Sequence, residues 1–284
     1  MEGKITRLRE RTLKLAPLGD IHWGEQGCAA NRLKRHITRC VEEGYHFIGT
    51  GEYIDFAAPS NRARLLGADL FESAKAAIDN MARQMVDELY DDVLAPTKGR
   101  WLALVSGHHC WKFSYPTEET GPNSDTYLAH KLDCAYAEGA FASHVYLNDA
   151  PIPVRIFAHH GAGWAQTTGG AAARIERVEA DHEADIILLG HLHQMFGLPK
   201  QTLDWVLTGN DSLKLVNKPK ALLYTGSWLE GWVQGYRLGD TPAAPYAEKR
   251  LLRTLLIGAP RIKATPVEEP WGWTVEIEME VPVQ

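Results

Sequence analysis

Short apolar runs alternate with amphipathic stretches over the first two-thirds of the chain, and the alternation predicts strands and helices in turn. Residues 12–19, 45–50, 101–105, 154–158 and 185–189 read as strands. Residues 31–43 and 66–94 carry apolar positions at the helical period, the second stretch ending before Pro96. Asp125 can cap a helix over about residues 126–138, and a further helix falls near 171–182. Beyond residue 193 the texture turns to β, with strands predicted at 202–207 and 221–225. In WTVEIEMEV, Trp273, Val275, Ile277, Met279 and Val281 alternate with Thr and Glu, the pattern of a strand with one buried and one wet face. No internal repeat and no Pro-, Gly- or Ser-rich linker interrupts this order, so one domain over residues 1–284 is expected.

Composition narrows the function classes. A chain of 284 residues, 45% of them hydrophobic, can bury a full core. Its net charge of −6 supplies no basic footprint for tracking a nucleic-acid backbone. Cys28, Cys40, Cys110 and Cys134 show no CxxC spacing, the usage of a reduced intracellular protein. The opening MEGKITRLRERTLKL is charged without an apolar core, and no later run approaches a membrane span. A cytoplasmic protein with no membrane partner is the expectation.

The strands end on chemistry. GDIHWG (Asp20, His22), GTGEYIDF (Glu52, Asp55), SGHHC (His108, His109), FAHHG (His159, His160) and GHLHQ (His191, His193) each close or follow an apolar run. Strand ends gather along one edge of a sheet, so imidazoles and carboxylates should converge there. Neutral imidazole and ionised carboxylate suit Mn, Fe, Zn, Ni or Mg, and the lack of a Cys ligand pair argues against a structural zinc knuckle. In an extended chain, residues two apart share a face, which would put Asp20 beside His22 and His191 beside His193. Those four with Glu52 exceed what one ion needs while keeping an open position, so two divalent ions are expected.

These ordered blocks resemble the signature of the calcineurin-like metallophosphoesterases, in texture most like those of phage and bacterial genomes: D-x-H, G-D, G-N-H-[D/E], an isolated His, and G-H-x-H. The resemblance implies an α/β fold, a four-layer α/β/β/α sandwich of two mixed sheets flanked by helices. It implies one ion held by Asp20, His22 and His193, a second held by His108, by His159 or His160, and by His191, and Glu52 as the bridge. It also gives His109 the role of protonating or stabilising the departing oxygen. Two cations roughly 3.5–4 Å apart can draw the pKa of a bridging water from about 15.7 towards neutrality, making hydroxide the nucleophile.

Two blocks depart from the family pattern. The bridge reads Gly51-Glu52 rather than Gly-Asp, one methylene longer, and the third block reads Gly107-His108-His109-Cys110, with an imidazole where the family has an amide. A nitrogen-richer second site favours transition metals over Mg, and Mn is the expected ion. In the fourth block neighbouring strand residues face opposite ways, and His159 is the preferred ligand with His160 lining the pocket, His160 being the alternative. Asp55 can orient a ligand imidazole through its other ring nitrogen.

Seven of the twelve histidines lie in the five blocks; His36, His46, His130, His144 and His182 read as ordinary packing or surface residues. Trp23, Trp111 and Trp164 flank blocks and can stack a nucleobase, or simply pack. Asn61, Arg62 and Arg64, in a stretch read as a polar loop, can hold a substrate phosphate or stay solvated. The Gly-rich stretch after His160 can present N–H groups to phosphate. Taken together, a phosphodiesterase or phosphomonoesterase acting on small, nucleotide-like phosphoesters is expected, with a nuclease on single-stranded or end DNA or RNA, or a degenerate binding scaffold, as alternatives.

Overall fold

The computed structural model describes the chain outside residues 56–58, 166, 208–211, 250–253 and 283–284, and outside the side chains of 59–61, 66, 238, 246 and 247. The first part runs β1 (Glu2–Leu8), β2 (Leu13–Leu18), α1 (Ala30–Glu42), β3 (His46–Gly49), α2 (Pro59–Gly67) and α3 (Glu72–Leu89). After it come β4 (Trp101–Val105), β5 (Lys112–Thr117), β6 (Gly121–Asn123), α4 (Ser124–Leu132), β7 (Ala135–Ala137), β8 (Ala140–Leu147) and β9 (Val154–His159). The chain continues through α5 (Thr168–Asp181), β10 (Ile186–Leu189), β11 (Met195–Leu207) and β12 (Leu213–Thr225). It finishes with the short β13 (Arg237–Leu238), β14 (Thr241–Pro242) and α6 (Tyr246–Lys249), then β15 (Arg261–Glu269) and β16 (Gly272–Glu280).

Two mixed six-stranded sheets result. The first has the order β16-β15-β2-β3-β4-β7, with β2, β3, β4 and β7 parallel; the second has the order β1-β8-β9-β10-β12-β11, with β9, β10 and β12 parallel. Leu15, Ile48 and Val105 of the first sheet meet Phe141, Ile156, Leu188 and Leu223 of the second in one buried core. Outside the first sheet, α1, α3 and α4 pack through Leu33, Ile37, Val86 and Leu128. Outside the second, α5 packs Ile175 against Phe157, Ile187 and Leu222. The four layers are those of an α/β/β/α sandwich. β10 shows why its sequence is continuously apolar: Ile186 and Leu188 face the other sheet while Ile187 and Leu189 face α5.

Several expected elements are redrawn. The helix expected over 66–94 is interrupted: α2 ends at Gly67, Phe71 is extended at the head of α3, and a π turn (Tyr90–Leu94) closes α3 with Val93 and Leu94 buried. The apolar period survives the break, which is why it is silent in the sequence. Asp125 is not the helix cap. Asn123 is, accepting from Asp125 N at 3.0 Å and Thr126 N at 2.9 Å, and α4 stops at left-handed Asp133 so that β7 can pair with β4. Asn61, Arg62 and Arg64 lie on α2 rather than in a loop. β11 and β12 are much longer than predicted, and β1, β8 and β15 were not anticipated. The alternation in β16 is present, with Val275 buried and Glu276, Glu278 and Glu280 exposed.

One buried contact anchors the region after β4. Asp79 of α3, fully buried, accepts the Trp111 indole N–H at 2.7 Å and the Tyr115 backbone N–H at 2.9 Å. Asp79→Ala takes this acceptor from both donors, and a loss on the order of 3 kcal/mol in chemical denaturation is expected. Unchanged stability would mean that this contact does not hold β5 to the helix.

Candidate metal centre

The parallel strands β2, β3, β4, β9 and β10 all release their chains at one edge of the sandwich, where the two sheets meet. There the backbone leaves the extended form. Asp20, His22, Glu52, His191 and His193 adopt left-handed conformations with φ of 49°, 52°, 60°, 71° and 54°. Each costs roughly 1–2 kcal/mol for a side chain other than Gly, and such strain is typical of functional positions. The expected strand-like sharing of a face by Asp20 and His22 is therefore corrected. They come together through left-handed turns on either side of buried Ile21, and His191 and His193 do the same around Leu192.

Hydrogen bonds impose this path. Asp20 N donates to Gly51 O at 2.9 Å, and Ile21 N and His22 N both donate to Glu52 O, at 2.8 and 3.0 Å. Across the sheets, Thr50 Oγ1 meets Thr225 Oγ1 at 2.9 Å, and His191 N donates to Asp20 Oδ2 at 2.9 Å. Gly51 and Gly107 let two of the loops touch: a Cβ on Gly107 would lie 2.2 Å from Glu52 N. The Gly107 N–H is held by the buried Asp125 carboxylate at 3.1 Å, a positioning role that the sequence did not suggest.

Besides a group of His22, Asp55 and His109, two clusters of donor atoms result among the described residues. Glu52, His108, His160 and His191 form one; Asp20, His22 and His193 form the other, each with its donor atoms within 4.8 Å of one another. In the second, His22 Nε2 lies 3.2 Å from His193 Nε2, which in turn lies 3.4 Å from Asp20 Oδ1. In the first, the rings of His108, His160 and His191 meet edge to face at 4.6–5.1 Å. Within the first cluster, Glu52 Oε1 lies 2.9 Å from His160 Nε2, and its Oε2 lies 3.4 Å from His109 Nδ1.

Partners on the far ring nitrogens settle the tautomers. His160 Nδ1 donates to Thr50 O at 2.6 Å, His191 Nε2 to Gly163 O at 2.9 Å, and His22 Nδ1 to Asp55 Oδ2 at 3.2 Å. In the neutral ring, the form that binds a metal ion, the opposite nitrogen carries the lone pair. His160 Nε2 lies 2.9 Å from Glu52 Oε1, an approach that a proton or a metal ion between them makes favourable. Asp20 Oδ1, Glu52 Oε2 and His160 Nε2 are all buried without a hydrogen-bond partner. Unpaired buried acceptors on two carboxylates and an imidazole fit divalent cations.

Charge at the centre is finely opposed. Burial pushes Asp20 up to about 7 against the pull of His160 and His22. Burial also opposes ionisation of Glu52, but the imidazoles of His160, His109 and His22 outweigh it and draw the carboxyl down to about 2. For His160, burial favours the neutral ring, yet Glu52 and Asp20 hold it up at about 9. His193, fully desolvated and beside His22, is driven well below the usual imidazole range.

A supporting triad stands beside the clusters. Asp55 Oδ2 accepts from both His22 Nδ1 and, at 2.9 Å, His109 Nδ1. Arg62, buried, donates to His109 O at 2.9 Å and His108 O at 3.1 Å and lies 3.5 Å from Asp55 Oδ1. Its guanidinium is thereby committed to shaping the loop rather than free for a substrate phosphate.

The structure also corrects other expectations. His160, not His159, joins the cluster. His159 shares its face of β9 with Phe157, towards α5, and its Nδ1 accepts the Gly161 N–H at 2.7 Å. Trp111 is a core residue and Trp23 packs on the same core, whereas Trp164 is 57% exposed on the loop beside His191. Arg64 is exposed, and the Asn61 side chain lies outside the described residues. The Gly-rich loop turns carbonyls to its neighbours: Gly163 O to His191, and Ala162 O and Trp164 O to Arg174. Cys110, its thiol pushed by burial up to about 12, stands outside both clusters, and all four cysteines are unbridged. No helix among the described residues is long and apolar enough to cross a membrane.

No family model and no curated protein matches the chain. Among solved structures, it aligns with vacuolar protein sorting 29 from Cryptosporidium parvum at 14% identity, over 96% of this chain and 100% of that one, with a TM-score of 0.34. A predicted phosphoesterase from Streptococcus pneumoniae aligns at 12% identity over 94% and 98%, TM-score 0.33. GAP50, the anchor in the inner membrane complex of Plasmodium, aligns at 12% over 97% and 90%, TM-score 0.40.

Two outcomes check the centre. Elemental analysis after Mn loading should show metal lost in His160→Ala and kept in His159→Ala; the reverse pattern would return the ligand role to His159. Adding Mn should raise the melting temperature of the metal-free protein, because an ion bound only by the folded state stabilises it. The rise should shrink in Glu52→Gln, and an equal rise would remove Glu52 from the metal centre.

Proposed function

We propose that this chain is a phosphoester hydrolase working with two divalent ions, Mn being the favoured metal, on small nucleotide-like phosphodiesters or monoesters. The observation that carries the reading is the pair of donor clusters, Glu52 with His108, His160 and His191 and Asp20 with His22 and His193, with unpaired buried oxygens on Glu52 and Asp20. Asp20, His22 and His193 would hold one ion, and His108, His160 and His191 the other, with Glu52 shared between them. When bound, such a pair lowers the pKa of water and neutralises charge on phosphoryl oxygens. Imidazole-rich donors select transition metals over Mg.

The remaining work belongs to the chain's own groups. His109 donates Nδ1–H to Asp55, which orients the ring so that Nε2 faces the substrate and can pass a proton to the departing oxygen. Arg62 holds the carbonyls of His108 and His109, keeping the two rings aimed to opposite sides of the Glu52 carboxylate. Exposed Trp164, beside the His191 loop, offers a face on which a nucleobase can stack. The net charge of −6 disfavours a long duplex, which places a nuclease second.

The test is hydrolysis of bis-p-nitrophenyl phosphate against p-nitrophenyl phosphate, and of a nucleotide panel, with Mn, Ni and Mg. His109→Ala should lower turnover about 10²–10⁴-fold, the range of a lost general acid, with metal content intact. Undiminished turnover would remove His109 from the chemistry. A metal-loaded wild type with no turnover on any substrate would leave a binding scaffold instead.

A further inference from the structure

The longest strands of the molecule, β11 and β12, form an antiparallel hairpin at the edge of the second sheet. Side chains alternate along it, and the pairing Leu203↔Asn217, Trp205↔Leu215, Leu207↔Leu213 sets these six residues on one face. Near the base of the hairpin the same face supplies Ala221 and Leu223 to the core between the sheets, where Gly197 approaches Met279 and Val281. Further out the opposing sheet no longer covers it. Leu203, Trp205, Leu207 and Leu213 are 64–67% exposed and Leu215 is 44% exposed. The distal half of the hairpin is thus the inner face of a sandwich without its second layer.

The other face of the hairpin is occupied differently. Lys200 and Lys220 are paired with Glu179 of α5, and Lys218 with Asp204. These three lysines are neutralised within the fold and Lys214 stands apart from them, so the described residues of the hairpin show no free basic cluster of the kind that accompanies insertion into an anionic lipid surface. Among the described residues, the apolar face carries no charged residue from Leu203 to Asn217. In a chain with net charge −6, an uncharged face is where two copies can approach without repulsion.

We propose that this face is the docking surface for a second copy of the chain, hairpin against hairpin across a two-fold axis. A two-fold contact requires a patch that complements itself, and an uncharged row of Leu and Trp does so. Burying the five large side chains from each copy removes on the order of 1,000 Å² from water in all, about the minimum for a specific interface. It also covers the hydrophobic surface that a long edge hairpin would otherwise leave open to aggregation.

Sedimentation equilibrium of the full chain at micromolar concentration tests this. The expected mass is twice 31.6 kDa, falling to 31.6 kDa in Trp205→Lys with Leu213→Lys, while far-ultraviolet circular dichroism and bound Mn stay unchanged. Should that pair fail to fold, the single Trp205→Glu should weaken the dimer at least about tenfold, as one desolvated charge at the centre of an interface does. A monomeric wild type, or a dimer indifferent to these changes, would overturn the proposal. So would a monomer that sediments with phosphatidylcholine–phosphatidylserine vesicles, which would assign the face to lipid.

Discussion

Two carboxylates buried at the seam between the sheets govern this molecule. Asp20 and Glu52 are essentially removed from water, each with one oxygen lacking a hydrogen-bond partner. Such oxygens are tolerable only where positive charge or N–H groups are concentrated around them. The surrounding imidazoles, the N–H groups of His108 and His191, and the ions the donor set fits are answers to that one requirement.

Meeting it constrains the backbone. Five left-handed residues other than Gly at one edge represent several kcal/mol of local strain. It persists because the loops are over-determined by bonds between strands and across sheets, among them the paired N–H groups on Glu52 O, the threonine contact and His160 on Thr50 O. The rigid sandwich core below supplies the leverage, its strands packed on both faces. Close approach at Gly51 and Gly107 is part of the same geometry, since any side chain there would drive the Glu52 loop out of position.

A second layer of contacts carries rigidity from the helices to the donor rings. Asp79 grips Trp111, Asp125 grips Gly107, and Arg62 spans the carbonyls of His108 and His109 while approaching Asp55. Asp55 then orients His22 and His109 together, so the ring proposed to handle the leaving-group proton and a ring proposed to hold metal share one carboxylate. Asp79 and Asp125 are as buried as Asp20 and Glu52, but their oxygens are hydrogen-bonded where Asp20 and Glu52 each leave one open.

The five strands that feed the donor blocks and the order of those blocks were legible in the chain because they depend on local pattern: apolar runs of strand length, each ending on His, Asp or Glu. Their assembly at one edge follows once those strands run parallel, since parallel strands release their loops on the same side. The choice of His160 over His159 was not legible, because it turns on which face of β9 looks towards α5 and on a hydrogen bond to Thr50, 110 residues away. The left-handed turns, the commitment of Arg62 and the burial of Trp111 are likewise products of contacts distant in sequence. Sequence periodicity determines which side chains an element can present; only packing of the two sheets against each other decides which of them meet.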